Sequence, residues 1–279
     1  MFLEINNQKV HYLEKNSEAQ QTIIFLHGNS HSSLSYLNQL NNSSLSAYRL
    51  IFIDLPGHGE SDKLASYSLI NIANVLVEFI DSLTITNFLI VGHSLGGHVA
   101  LHMLEKLAPQ GLLIFGTPPL SKPFYPESFL ANTNALPLSM AESSEEQLSL
   151  LAEELKYNQQ DTTQFIIDYQ KSDANFRTQI FNSVANNLYL DEVDLLKNFG
   201  GYFLSLICMD DKIINSDYTQ NIIPENSRFE FLQIASGHSP QIEVPEIFNA
   251  TLLEFSNKIF FNHGIKIDTL KVTRETSVV

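Results

Sequence analysis

The chain has 279 residues, of which 44% are hydrophobic and 17% are charged, a composition typical of a folded globular protein rather than a disordered one. Its formal net charge of −15 argues against a nucleic acid or an anionic membrane as a partner. Cys208 is the single cysteine, so no disulfide can form within the chain. The first residues lack a basic region followed by a long apolar run, and we therefore expect a cytoplasmic protein.

Short apolar runs that recur along the chain predict the strands of a sheet. The first two predicted strands are 2–8 and 10–14, which surround a polar turn at Asn6-Asn7. Further strands are predicted at 22–26, 50–54, 88–91, 112–115, 202–208 and 229–234. Apolar residues at helical spacing predict helices at 69–83, at 99–107 and at about 245–261.

The alternation of strand, loop and helix predicts a mostly parallel sheet with helices on both faces. From about residue 120 to about 198 no strand pattern is present, and helical spacing predicts an inserted helical cap. We expect a single domain over 1–279, ending in a frayed tail at 271–279. In such sheets ligands bind beyond the carboxyl ends of the strands, so the polar residues found there are the candidate site.

The stretch from Gly92 to His98 (Gly-His-Ser-Leu-Gly-Gly-His) follows a predicted strand and precedes a predicted helix. Gly92 and Gly96, two residues before and two residues after Ser94, allow the tight turn that presents Ser94 as a nucleophile. Serine needs a base and a group that orients the base. His238 and Asp211 follow the last two predicted strands, in the chain order expected for this arrangement, although the neighbouring Asp210 remains an alternative acid.

An oxyanion needs two hydrogen-bond donors near the reacting carbonyl. The backbone N–H groups of Leu95, directly after the nucleophile, and of Asn29 are the candidates. Asn29 also offers a side-chain amide toward the same cavity.

Four motifs in this order resemble those of the α/β-hydrolase superfamily. They are His27-Gly28-Asn29, Asp54-Leu55-Pro56-Gly57-His58-Gly59-Glu60-Ser61, Gly92-His93-Ser94-Leu95-Gly96-Gly97-His98 and Gly237-His238-Ser239-Pro240. Together with Gly116-Thr117-Pro118-Pro119, they are most similar to the α/β-hydrolase type of N-acyl-homoserine lactonase. The chain departs from those lactonases at His93, where they carry a tryptophan.

The resemblance implies an α/β-hydrolase fold and a quorum-quenching serine hydrolase that opens the lactone ring through an acyl-enzyme. It implies no cofactor and no metal, and a small ester or lactone as the only partner. The residues that we expect to line the acyl-chain pocket are Asn29, His93, Phe124, Tyr125 and Phe129. The sequence does not predict an oligomeric state.

Two other functions remain open: a general carboxylesterase or carbon-carbon bond hydrolase, and a ligand receptor built on the hydrolase scaffold. Hydrolases with an aspartate nucleophile are disfavoured because Ser94 stands at that position. The other polar residues are interpreted as structural. Specifically, we expect His98 and His102 to be helix histidines with satisfied hydrogen bonds, Asp54 to tie the loop under the site, and Cys208 to be buried in a strand. We expect His31, His58 and His263 to lie in loops or on the surface.

Overall fold

The computed structural model describes residues 1–130 and 132–261. The tail predicted at 271–279 and His263 lie outside the described residues.

The strands of the described chain form one sheet in the order β1-β2-β4-β3-β5-β6-β7-β8. Their bounds are β1 Phe2–Ile5, β2 Gln8–Lys15, β3 Thr22–Leu26, β4 Arg49–Ile53, β5 Phe88–His93, β6 Gly111–Phe115, β7 Tyr202–Cys208 and β8 Phe229–Ile234. Strand β2 pairs antiparallel with β1 and β4, and every other pairing is parallel. Every predicted strand is therefore present, and the positive φ angles of Asn6 (50°) and Asn7 (65°) form the tight turn between β1 and β2.

The helices of the described chain lie on both faces of this sheet and in the segment between β6 and β7. Their bounds are α1 Leu37–Leu40, α2 Leu69–Ser82, α3 Leu95–Met103, α4 Glu145–Glu154, α5 Gln159–Lys171, α6 Ala174–Ala185, α7 Glu192–Lys197, α8 Ser216–Ile222, α9 Pro240–Glu243 and α10 Pro245–Phe261. Helix α3 begins four residues earlier than predicted, because it starts directly after Ser94. None of the helices in the described ranges is long and apolar enough to cross a bilayer.

The core lies on the two faces of the sheet. Successive residues of a strand point to opposite faces, so Ile24 and Leu26 pack with α2 and α3, while Ile23 and Phe25 pack on the other face with residues of α10. All four side chains are fully buried. Burial on both faces explains why the parallel strands are continuous apolar runs in the sequence.

Helices α4 to α7 lie in the segment between β6 and β7, where the sequence predicts the cap. A separate apolar cluster holds part of this segment together: Leu148 and Leu151 of α4 and Phe165 of α5 are buried with Ile213 and Ile214, which follow β7. The inserted segment is therefore anchored to the loop that carries Asp211.

Candidate active site

Ser94 occupies the strained turn between β5 and α3. Its φ of 50° and ψ of −115° are unusual for a residue with a side chain. The turn closes because Gly96 has no side chain: a Cβ atom there would lie 2.2 Å from the carbonyl oxygen of Leu26. The Ser94 N–H donates to Phe115 O at 2.9 Å, and Thr117 Oγ1 donates to Ser94 O at 2.9 Å. Neighbouring strand ends therefore hold the serine backbone in place.

His238 and Asp211 form a buried pair at the ends of β8 and β7. His238 Nδ1 lies 2.8 Å from Asp211 Oδ2, and Asp211 Oδ1 accepts the N–H groups of Ile213 and Ile214 at 2.7 and 3.0 Å. Burial would raise the pKa of Asp211, but His238 and these hydrogen bonds lower it below its ordinary value. The neighbouring Asp210 is exposed and pairs with Lys156 instead, at 3.1 Å. The geometry thus distinguishes the two aspartates that the sequence left open.

Gly116 brings His238 close to the serine turn. Its φ is 59°, and a Cβ atom added to it would lie 2.7 Å from Cε1 of His238. Gly116 stands between Phe115 and Thr117, the two residues that bind the Ser94 backbone. Among the described residues no hydrogen bond joins Ser94 Oγ to His238 Nε2, and such contacts are often long before a substrate binds.

The two candidate oxyanion donors are free in the described chain. The N–H groups of Leu95 and Asn29 have no acceptor among the residues described. The Asn29 side chain is occupied: its Nδ2 donates to Leu138 O at 2.7 Å, and its Oδ1 accepts the hydroxyl of Ser30 at 3.0 Å. Asn29 therefore offers its backbone, rather than its side-chain amide, to an oxyanion.

A mostly apolar cavity of about 260 Å³ opens beside Ser94. Its described lining residues are Asn29, Leu69, Ser94, Leu95, His98, Leu120, Phe124, Phe129, Leu130, Asn132, Ala135, Leu136, Leu138, Ser139, Ile180, Phe181, Val184, Ile213 and Ile214. Phe124 and Phe129 thus lie where the sequence places a pocket. Tyr125, which precedes the short turn that begins at Pro126, does not line this cavity and is 43% exposed.

His93 also lies outside the cavity wall, contrary to the expectation from sequence. It is fully buried in β5, its ring stacks on Phe115 with centroids 4.9 Å apart, and its Nε2 lies 3.1 Å from the carbonyl oxygen of His238. Burial lowers the pKa of His93 well below its ordinary value, so the neutral ring donates from Nε2. A Cβ atom at Gly28 would lie 2.7 Å from Nδ1 of this ring. His93 therefore supports the His238 loop and cannot contact a substrate in the cavity.

A hydrogen-bonded chain that the sequence does not reveal joins three loops of the site. Tyr157, between α4 and α5, lies 2.8 Å from both Ser239 Oγ and His31 Nε2, and His31 Nδ1 lies 2.9 Å from the carbonyl oxygen of Asn29. Burial lowers the pKa of His31 to about 3, so the ring is neutral. The bonds then run in one direction: Ser239 donates to Tyr157, Tyr157 to His31, and His31 to Asn29.

His31 and His58 lie in loops, one of the two positions expected for them, but neither is on the surface: they are 5% and 1% exposed. His31 is held by the chain just described. His58 Nε2 accepts the N–H of Ser30 at 3.2 Å, and its ring packs edge-on against Phe176 of α6. These polar side chains are buried because the inserted segment covers the loops that carry them.

Asp54, His98, His102 and Cys208 also have partners or positions that the structure defines. Asp54 accepts the N–H groups of Ser33 and Glu60 at 2.7 and 3.0 Å and so ties two loops together. His98 and His102 both lie beside the carboxylate of Glu192. Cys208 is buried in β7, and burial raises the pKa of its thiol.

Residues 23–251 match the model of the alpha/beta hydrolase family, and the chain belongs to that family. Its fold is similar to that of a mutant of the N-acyl homoserine lactonase AidH complexed with N-hexanoyl homoserine lactone (TM-score 0.83, 21% identity, 94% of this chain and 98% of that one). It is also similar to an esterase from Exiguobacterium antarcticum (TM-score 0.77, 19% identity, 92% and 98% of the two chains).

In sequence, the chain is 35% identical over 99 residues to a 2-hydroxy-6-oxononadienedioate/2-hydroxy-6-oxononatrienedioate hydrolase from Paraburkholderia phymatum, which is 33% of this chain and 34% of the relative. The first relatives found in this way are matched over only 29% and 34% of their length. The family match covers most of the chain, whereas these sequence relatives match it over about a third and carry no activity over to it.

Proposed function

We propose that the chain is a serine hydrolase of carboxylic esters and lactones, with N-acyl homoserine lactones as the favoured substrates. The observation that carries this proposal is the 2.8 Å contact of His238 Nδ1 with Asp211 Oδ2, next to a serine held in a strained turn. The apolar cavity that begins at Ser94 suits an acyl chain. The likeness in fold to AidH supports the choice of lactone.

In the first half of the reaction, His238 Nε2 accepts the proton of Ser94 as Oγ bonds to the lactone carbonyl carbon. The N–H groups of Leu95 and Asn29 donate to the oxyanion of the tetrahedral intermediate. The intermediate collapses by breaking the bond to the ring oxygen, and His238 returns its proton to that oxygen. The product is an acyl-enzyme in which the former ring oxygen is a free hydroxyl of the same molecule.

In the second half, water adds to the acyl carbonyl while His238 accepts its proton. The bond to Ser94 then breaks, Ser94 regains the proton, and the hydroxy acid leaves. Asp211 stabilises the imidazolium that forms in each half, because it remains a carboxylate whose pKa lies below its ordinary value.

Proton release from the purified protein tests this function, with N-acyl homoserine lactones of several chain lengths measured beside a nitrophenyl ester. We expect lactone opening that Ser94→Ala reduces by several orders of magnitude. Ester cleavage without lactone opening would overturn the substrate and leave a carboxylesterase. A single slow turnover with a large rearrangement of the inserted segment would favour a receptor.

A further inference from the structure

His98 gives the apolar cavity one polar contact point. It lies on α3 four residues after Ser94, which places it on the same face of the helix and about 6 Å farther along its axis. Both residues line the cavity. Among the lining residues that the structure describes, His98 is the only one with a titratable side chain.

Other polar side chains of the cavity are already occupied by protein partners. The amide of Asn132 donates to Lys212 O at 3.1 Å, and the hydroxyl of Ser139 donates to Leu136 O at 3.0 Å. The amide of Asn29 is bound to Leu138 O. Each of these side chains is therefore already oriented by a protein partner.

His98 differs because only one of its ring nitrogens is used. Nδ1 lies 2.9 Å from Oε2 of Glu192, whereas Nε2 has no partner in the described part of the chain. Nε2 is not fully buried, and 11% of the side chain is exposed. A ring nitrogen therefore remains open to a molecule in the cavity.

Glu192 fixes the orientation of this ring. The carboxylate is fully buried and also accepts the N–H of Leu120 at 2.7 Å. Burial would raise the pKa of Glu192, but His98 and His102 lower it, so the group is a carboxylate. His102 Nε2 accepts the N–H of Leu190 at 3.0 Å, which leaves His102 neutral with its proton on Nδ1. The Glu192 carboxylate accordingly holds a proton on Nδ1 of His98 and leaves Nε2 facing the cavity.

We propose that His98 is a specificity-determining residue whose Nε2 hydrogen-bonds an oxygen substituent on the acyl chain of the substrate. This inference rests on the proposed hydrolysis of esters or lactones. A neutral ring accepts a hydrogen bond from a hydroxyl group, and an imidazolium donates one to a keto group. The substrate class is therefore an acyl chain that carries a hydroxyl or keto group, rather than a plain alkyl chain.

A plain alkyl chain would shield Nε2 from solvent without giving it a hydrogen-bond partner. An oxygen substituent would supply that partner. We therefore expect the oxygen-bearing chain to be favoured about tenfold in kcat/KM over the plain chain of equal length. The ratio of kcat/KM for the two substrates, rather than either value alone, reports on His98.

The experiment measures kcat/KM for N-hexanoyl homoserine lactone and its β-hydroxy and β-oxo forms, and for the three corresponding nitrophenyl esters. His98→Phe should bring the ratio of substituted to plain substrate to about one. His11→Phe is the matched control, since it makes the same change at a partly buried histidine of β2 that does not line the cavity, and it should keep the wild-type ratio. A hydroxyl preference indicates the neutral ring, and a keto preference the imidazolium.

Binding of the same lactones to Ser94→Ala, measured by calorimetry, tests the inference without turnover and should give the same tenfold preference. Equal ratios in the wild type, or a ratio that survives His98→Phe, would overturn the role of His98. If only the esters are hydrolysed, the lactone function fails while the ester ratios still decide this inference. A protein that neither binds the lactones nor hydrolyses the esters would overturn both proposals.

Discussion

Tyr157 Oη lies 2.8 Å from Ser239 Oγ, and this contact joins the segment inserted after β6 to the residue that follows His238. The same hydroxyl binds His31, which in turn binds the carbonyl oxygen of Asn29. One phenol of the inserted segment therefore fixes both the loop of the proposed base and the loop of a proposed oxyanion donor. The orientation of the two loops depends on the placement of that segment.

Replacing Tyr157 with phenylalanine removes the hydroxyl from this chain and leaves His31 Nε2 without its donor. We expect kcat to fall about tenfold while KM changes less, because the loops that position the reacting groups are loosened. Steady-state kinetics on a nitrophenyl ester measure the effect. Tyr202→Phe is the control, since Tyr202 begins β7, at the end of the strand away from Asp211. An equal loss in both variants would contradict the positioning role.

The Asp211–His238 pair predicts which of two adjacent aspartates is needed for catalysis. Asp211→Asn should lower kcat by about three orders of magnitude, because the amide no longer stabilises the imidazolium or fixes the tautomer of His238. Asp210→Asn loses only an exposed ion pair with Lys156 and should stay within about twofold of the wild type. Comparable losses in the two variants would argue against Asp211 as the acid.

The close approach of Gly116 to the ring of His238 predicts a steric effect. Gly116→Ala adds a Cβ atom 2.7 Å from Cε1 of His238 at a positive φ, so the ring must move. We expect kcat to fall at least about tenfold, with thermal unfolding measured in parallel to separate misfolding from displacement of the ring. Gly200→Ala is the matched control, because nothing lies within 4 Å of its added Cβ atom. A fully active, folded Gly116→Ala would show that the ring tolerates the shift.

Asp168 predicts a dependence of stability on pH. Burial raises its pKa to about 6, from an ordinary value of 3.8, despite hydrogen bonds from Ser32 and Gln164. Because the folded state then binds more protons than the unfolded state, this group destabilises the protein as pH rises from about 4 to about 6. The free energy of unfolding of Asp168→Asn, relative to the wild type, should therefore increase by about 2 kcal/mol over that range.

Urea unfolding at several pH values measures this difference. Asp81→Asn, which changes an exposed carboxylate near the end of α2, provides the control and should show little dependence of the difference on pH. The account would be contradicted if the free energies of unfolding of Asp168→Asn and the wild type differed by the same amount at every pH.

The sequence predicts the sheet well because strands that are buried on both faces are nearly continuous apolar runs. Thr22–Leu26 is an example, predicted to the residue and fully buried along its apolar positions. The beginning of α3 is harder to predict, because Gly96 and Gly97 are poor helix formers. They are required there by the close approach of the chain to Leu26 O and to the Thr117 side chain.

Parts of the candidate site cannot be predicted in this way because they depend on contacts between distant residues. Tyr157 and Ser239 are 82 positions apart, and no local pattern pairs them. Asp210 and Asp211 are neighbours in sequence, and the structure distinguishes them because the His238 ring and two backbone N–H groups bind Asp211. His58 has a loop sequence, but it is buried because a helix that begins more than a hundred residues later packs on it.

Covalent labelling tests the central claim, that Ser94 is the nucleophile activated by His238, most directly. A fluorophosphonate reacts with an activated serine, and its fluoride leaves as the oxygen bonds to phosphorus. We predict a stoichiometric mass increase of the intact protein that peptide mapping assigns to Ser94, and that is absent in Ser94→Ala and strongly slowed in His238→Ala. Labelling of another residue, or hydrolytic activity that survives in Ser94→Ala, would contradict it.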